Sequence, residues 1–385
     1  IKSQLDKVAF AHTSFFQSQK GEDLCKLLAK HAPGNLDRVY VVSGGSEAME
    51  SAIKLARQFF IEKNKPKKHR IIARQQSYHG NTLGSLATSG NQIRRKPFLP
   101  LLVETSHIAP CYEYRGKKDS ESVYDYGQRV ANELEAEILR VGPQFVMAFV
   151  AETVVGATLG AVPPVEGYFK RIREICNQYD VLLILDEVMC GMGRTGSLFA
   201  CEQYGIVPDI LTIAKGLAAG YQPIGAMICT TQIYETIAEG SGFFQHGHTY
   251  LAHPTACAAA ECVISSILER DLINRVKLLG RALISELNHA FGQHPFIGDI
   301  RGKGLLIGLE LVQDRPNKTP FETSKQISKE IKRVAFSEGL MCYPMSGTVD
   351  GKLGDHILLA PPFIMGNHQI DEIVVKLGKA IKLVF

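Results

Sequence analysis

The feature that most constrains this chain is an alternation repeated along most of its length. Short apolar runs rich in β-branched residues are separated by longer segments whose apolar positions recur at helical spacing. That alternation builds βα units around a mostly parallel sheet. The clearest predicted strands cover 38–42, 70–74, 145–151, 181–185, 210–214 and 225–229. The run VLLIL at 181–185 has no polar alternation, so helices should cover both faces of that strand. A helix is predicted over 46–62, with apolar positions at 49, 52, 53, 56, 59 and 60, and others over 168–178 and 254–268.

After Asp271 the character changes. A helix at 276–291 leads to a strand at 304–312, a helix at 323–338, a Gly/Pro-rich stretch at 339–354, a strand at 357–359 and a terminal helix from about 369. With 385 residues, more than one typical domain holds, two domains are expected: a large one over 1–271 and a small one over 272–385. A composition of 45% hydrophobic and 21% charged residues excludes disordered and fibrous classes. The net charge of +4 provides no general field for nucleic acid or membrane, and the basic run KNKPKKHR at 63–70 reads as a solvated loop. From Phe145 to Val165 there is a single charge, Glu152, over a length able to span a bilayer; glycines and the Pro163-Pro164 pair interrupt it, so it reads as a buried strand and a loop. Nine cysteines, with no CxxC pair and no zinc-like spacing, point to reduced thiols and a cytoplasmic setting. The opening IKSQLDKVAF has neither an initiator Met nor the apolar core of a signal peptide, so residues are expected before Ile1.

Four features carry chemistry, and each falls where a strand ends or a helix begins, the edge at which parallel sheets bind ligands. Ser43-Gly44-Gly45-Ser46 lies between a strand and a helix, suited to one phosphate or to an ordinary N-cap. Asp186 directly follows VLLIL, as a strand-end cap or a charge held for a ligand. Lys215 follows ILTIA at the end of a buried strand, where an ammonium is costly unless paired or converted, for instance to a Schiff base. QHGHTYLAHP at 245–254 has three histidines but no carboxylate or thiol at ligand spacing, so no metal is expected. A phosphate cup, a strand-end carboxylate and a strand-end lysine together match the needs of pyridoxal phosphate.

Over nearly its whole length the chain resembles the class III, or ω-amino acid, aminotransferases of the fold-type I pyridoxal-phosphate enzymes. The resemblance rests on VVSGGSEAMESAIKLAR, SYHGNTLG, AETVVGATLG, LLILDEVMCGMGRTG, PDILTIAKGLAAGYQPIGA, HGHTYLAHPTACAAA, IRGKGLLIGLEL and ILLAPPFI, in order. It implies an α/β fold of a large domain with a mostly parallel sheet and a smaller C-terminal α/β domain. It implies Lys215 as the Schiff-base lysine and proton carrier, and Asp186 as partner of the pyridinium nitrogen. Gly44, Gly45 and Ser46 would form the phosphate cup, Tyr78 would stack on one ring face with His79 beside it, and Val188 would cover the other. Glu152 would stand beside Asp186 and the ring hydroxyl, and Thr249 would reach the phosphate of a neighbouring subunit, which implies a homodimer with shared sites. Residues before Ile1 would help to wall the substrate pocket.

Departures from the family pattern bear on substrate. Members that use glutamate and 2-oxoglutarate carry a gating glutamate five positions after Glu152, where this chain has Ala157, and an arginine two residues before Ala-Pro-Pro, where it has Leu358. A dicarboxylate needs a second cationic clamp, so pyruvate is the expected amino acceptor. Lys352 is a candidate carboxylate-binding charge or a solvent-facing lysine, and Met189 replaces a glutamine found near the ring hydroxyl in many relatives. The expected activity is ping-pong transfer of an amino group from an ω-amino acid, diamine or other primary amine to a 2-oxo acid. The alternatives are an aminomutase or racemase of the same fold, or an inactive cofactor-binding scaffold; a transcription regulator would need a DNA-binding segment, and none is visible.

Overall fold

A computed structural model describes all residues from Ile1 to Phe385. Seven strands form the main sheet: β1 (Leu36–Val42), β2 (Arg70–Arg74), β3 (Thr105–Ile108), β4 (Val146–Glu152), β5 (Leu182–Asp186), β6 (Ile210–Ile213) and β7 (Gly225–Thr230). Their spatial order is β1-β7-β6-β5-β4-β2-β3. From β6 to β3 every pairing is parallel, whereas β7 runs antiparallel to both of its neighbours. The carboxyl ends of β1, β2, β4, β5 and β6 therefore share one edge, and β7 begins there.

The apolar strands bury both faces, as their lack of alternation requires. Leu183 and Leu185 point into one cluster with Phe149, Ala151 and the helices Val123–Val141 and Tyr168–Gln178, while Leu182 and Ile184 point into another with Met49, Ala52, Ala56 and Phe60 of the helix Gly45–Glu62. No helix is long and apolar enough to cross a membrane. The apolar run from Phe145 becomes β4 and the turn after it.

A second, four-stranded sheet holds β8 (Ile297–Lys303), β9 (Leu306–Leu311), β10 (Tyr343–Ser346) and β11 (Asp355–Leu359), antiparallel throughout in the order β10-β11-β9-β8. Its own core joins Val276, Leu283 and Leu287 of the helix Leu272–Phe291 to Ile307, Leu309, Ile357 and Leu377.

Two sequence expectations need correction, and two elements had none. The stretch 339–354 contains β10, whose Pro344 and Ser346 hide the usual strand composition. The strand β8 and the long helix Val123–Val141 carried no expectation, the first because Gly298 and Gly302 dilute its pattern. The basic run at 63–70 is not wholly solvated: Lys68 is buried, and its ammonium donates to the carbonyls of Pro143, Val146, Tyr179 and Asp180 at the starts of β4 and β5. Loss of hydration pushes that amine down to about 8.

The two sheets are joined through a buried ionic cluster. Glu310 of β9 is fully buried and accepts from Tyr112 Oη, from Arg115 Nε at 2.8 Å and from Arg301 at 2.7 Å. Burial alone would raise its carboxyl, but Arg301 and Arg115 hold it below the ordinary value. Arg301 also donates to the carbonyls of Leu159 and Gly160 in the turn after β4. Glu310→Ala would strand two arginines beside an apolar core, and it is expected to lower the free energy of urea unfolding by about 3–5 kcal/mol.

Candidate active site

The edge where the parallel strands end collects the polar side chains of interest. Glu152 closes β4 and Asp186 closes β5, and the parallel register sets these two residues side by side. Both are buried. Asp186 Oδ2 lies 2.8 Å from His79 Nδ1, and Oδ1 accepts from Val188 N at 2.9 Å. A carboxylate only accepts, so Nδ1 of His79 carries the proton. The other ring nitrogen, Nε2, is buried without a partner. Glu152 accepts from Tyr78 N at 3.1 Å and from Gly156 N at 2.8 Å. Burial first, with Asp186 adding, raises the Glu152 carboxyl above its ordinary value, and His79 opposes this.

The glycine segment follows β1. Gly44 is the N-cap and the helix begins at Gly45, one residue earlier than the sequence pattern suggested, so Ser46 stands inside the first turn. The N–H groups of Gly45, Ser46 and Glu47 precede the first helical bond, Ala48 N to Gly44 O, and face the site's edge of the sheet. The chain is tightly fitted here. A Cβ on Gly45 would lie 2.9 Å from Val188 Cγ1 and 3.6 Å from Ala214 Cβ, and one on Gly225 would lie 2.4 Å from the Gly44 carbonyl. Ser46 Oγ pairs with Asn81 Oδ1 at 2.9 Å and accepts from Asn81 N at 3.1 Å. Asn81 had no place in the sequence reading, and only the contact reveals it.

After β6, Ala214 ends the extended backbone and Lys215 opens a single 3₁₀ turn in the left-handed region, at φ 43°. A non-glycine residue held there marks strain at a functional position. The expectation of a buried lysine is corrected: Lys215 is exposed in this chain, because the strand ends at Ile213 and Lys215 stands in the turn beyond it. Gly45, Val188 and Ala214 nevertheless stand in contact distance, so the glycine segment, the loop after Asp186 and the residue before Lys215 meet at one edge of the sheet. Thr249 does not join them; it is exposed in the turn before the helix Pro254–Glu269. No group of side chains suits a metal, and the three histidines near Thr249 form none.

The turn after β4 carries Ala157, and several contacts fix it. His356 of β11 reaches the Ala157 carbonyl with Nε2 at 2.9 Å and Thr348 Oγ1 with Nδ1 at 2.8 Å. Thr158 Oγ1 donates to the Gln76 carbonyl. Leu358 is buried in an apolar cluster with Val154, Ala161 and Leu306. Lys352 lines a cavity of about 230 Å³ with Phe321, Lys329 and Asp355, none of which belongs to the site. Met189 packs beside Gly156, its Sδ 2.3 Å from where a Cβ there would be.

Comparison with known proteins gives the family of the chain. Residues 1–381 match the family model described as Aminotransferase class-III. An "Aminotransferase" of Gibberella zeae is 43% identical over 385 residues, 99% of this chain and 75% of that protein. "Gamma aminobutyrate transaminase 3, chloroplastic" of Solanum lycopersicum is 36% identical over 98% of this chain and 72% of its own length. Among solved structures, the omega transaminase from Pseudomonas jessenii in complex with PMP superposes with a TM-score of 0.93 at 32% identity, covering 100% of this chain and 83% of that one.

The residues fit a phosphorylated pyridoxal cofactor: a cradle that one methyl group would crowd, free helix N–H groups, and a buried carboxylate whose histidine has one nitrogen unpartnered. Gly45→Ala should therefore weaken cofactor retention about tenfold or more, read by absorbance titration of the apoprotein, and lower the unfolding midpoint as well, because the methyl meets Val188. His356 gives a pH signature. Burial first, with Arg301 adding, lowers its imidazole from 6.5 to about 4. The unfolded chain then takes up the proton first, so this contribution to stability is full above about pH 6.5 and is lost as pH falls towards 4. His356→Gln should flatten the acid limb of urea midpoints across that window.

Proposed function

We propose that this chain, which belongs to the class III aminotransferases, moves an amino group from an ω-amino acid, a diamine or another primary amine to a 2-oxo acid, with pyruvate as the favoured acceptor. The observation that carries the reading is the meeting of Asp186, the Gly44-Gly45-Ser46 cup and Lys215 at one edge of the sheet. Relatives named as a γ-aminobutyrate transaminase and an omega transaminase support the donor class.

Pyridoxal phosphate, when bound, would supply an aldehyde for the amine and an electron sink for the carbon that loses its proton. The chain's residues do the rest. Asp186, fixed by His79 and by Val188 N, holds negative charge for the protonated ring nitrogen. Gly45, Ser46 and Glu47 present N–H groups to the phosphate. Tyr78 and Val188 would cover the ring faces, and Glu152 keeps the segment that carries Tyr78 in place through Tyr78 N. Lys215 Nζ, on its short turn, takes the proton from the substrate carbon and returns it.

The acceptor preference rests on Ala157 and Leu358. The first has no charge and the second is buried among apolar side chains, so neither position clamps a second carboxylate. Exposed Thr249 supports a homodimer in which it serves the neighbouring site. The two separate cores support a boundary near residue 272, with Leu272 packed in the larger core and Val276 in the smaller. Nine unpaired cysteines support a reducing, cytoplasmic setting. A donor panel with pyruvate and 2-oxoglutarate as competing acceptors tests the reading: alanine should form at least tenfold faster than glutamate. Turnover with 2-oxoglutarate alone would overturn the acceptor assignment, and an amine that leaves the cofactor's absorbance unchanged would remove transamination in favour of a mutase or racemase.

A further inference from the structure

A 2-oxo acid brings a carboxylate to an edge of the sheet that already holds two buried carboxylates, Glu152 and Asp186. It needs a cation close by, and the obvious positions provide none. Ala157 and Leu358 are uncharged, and Lys352 lines a cavity outside the site. Arg74 packs on the site, but its guanidinium is taken by the Glu152 carbonyl; Arg94 packs on Tyr78 with no such acceptor. The guanidinium carbon of Arg94 lies over the Tyr78 ring, 4.5 Å from its centroid.

We infer that Arg94 binds the substrate carboxylate, which makes it the specificity residue for monocarboxylate 2-oxo acids; this rests on the aminotransferase reading above. Three observations converge on it. First, its position is fixed: Asn91 caps the short helix Gln92–Arg95 by accepting from Arg94 N at 3.2 Å, and Asn91 is itself buried and paired with Gln76. Second, the guanidinium is half-buried, yet no carboxylate or carbonyl accepts from it, whereas most arginines of the chain's interior are paired, such as Arg74, Arg115, Arg173 and Arg301. Stacking satisfies the flat face of a guanidinium and leaves its N–H edge open, the geometry that takes a carboxylate in bidentate fashion.

Third, the surroundings tie the helix that carries Arg94 to the turn after β4. Ile93 touches the position of a Cβ on Gly347 at 3.3 Å, and Gln92 that of one on Gly351 at 3.4 Å, so the segment 347–354 lies on the helix that carries Arg94. That segment is joined through Thr348 and His356 to Ala157. Tyr78, beneath the guanidinium, is bonded through its own N–H to Glu152 and precedes the histidine that holds Asp186. A single arginine here gives one clamp, which suits an acid with one carboxylate and leaves the second of a dicarboxylate unpaired.

The test uses the holoenzyme and the variants Arg94→Ala, Arg94→Gln and Arg94→Lys. Arg94→Ala and Arg94→Gln should raise KM for pyruvate about ten- to a hundredfold, the range for loss of a charge-assisted bidentate contact, and Arg94→Lys less. The half-reaction with benzylamine, which has no carboxylate, should fall at least about tenfold less than kcat/KM for pyruvate. Calorimetric binding of propionate, which cannot turn over, should weaken by the same factor as KM for pyruvate. Equal losses with benzylamine and pyruvate, or propionate binding that ignores the substitutions, would overturn the inference. The benzylamine half-reaction of the wild type reads the aminotransferase assignment alone, and propionate binding reads Arg94 alone.

Discussion

Two carboxylates side by side in a buried setting are the constraint around which this molecule is arranged. Neighbouring parallel strands stand about 4.8 Å apart, and β4 and β5 end in register on Glu152 and Asp186. Such a pair is tolerated only if cations and N–H donors surround it. The chain supplies the His79 imidazole for Asp186 and two backbone N–H groups for Glu152. Those contacts in turn fix the segment at 76–80, the turn at 156 and the start of the loop at 188. A cationic ring nitrogen placed against Asp186 would relieve the same repulsion, so the stability of this edge and the affinity for a cofactor would have one electrostatic origin.

The second sheet acts on this edge through the turn that follows Glu152. Arg301 grips the carbonyls of Leu159 and Gly160, His356 grips that of Ala157, and Glu310 neutralises Arg301. The close fit of Gly308 against the Gly160 carbonyl, 2.0 Å from a Cβ position, leaves no room for a side chain at that junction. The turn that carries Ala157 and the junction of the two sheets therefore share the same few residues. A change in the small unit would reach that turn through His356 and Arg301.

Much of this was legible in the sequence because it is written in local pattern. VLLIL foretold a strand covered on both faces, and the glycines after β1 and the polar residues after β4, β5 and β6 marked the functional edge. Lys215 and Asp186 could be named because their types are costly at such positions. What stayed hidden depends on contacts between distant segments. The left-handed turn that exposes Lys215, the His79 bond to Asp186, the placing of Arg94 over Tyr78 and the burial of Lys68 among four carbonyls have no signature in spacing. β8 and β10 escaped notice because glycine, proline and serine occupy strand positions there, with tertiary packing overriding propensity.

The central claim is that the edge formed by Asp186, the Gly44–Ser46 cup and Lys215 is where the cofactor is held, with Lys215 as the covalent partner. Borohydride reduction of the holoenzyme, followed by mass mapping of its peptides, measures this directly. The account predicts one pyridoxyl adduct per chain, on the peptide containing Lys215, and none when Asp186 is replaced by Asn at limiting cofactor. An adduct on another lysine, or no adduct on a chain that turns over an amine, would contradict it.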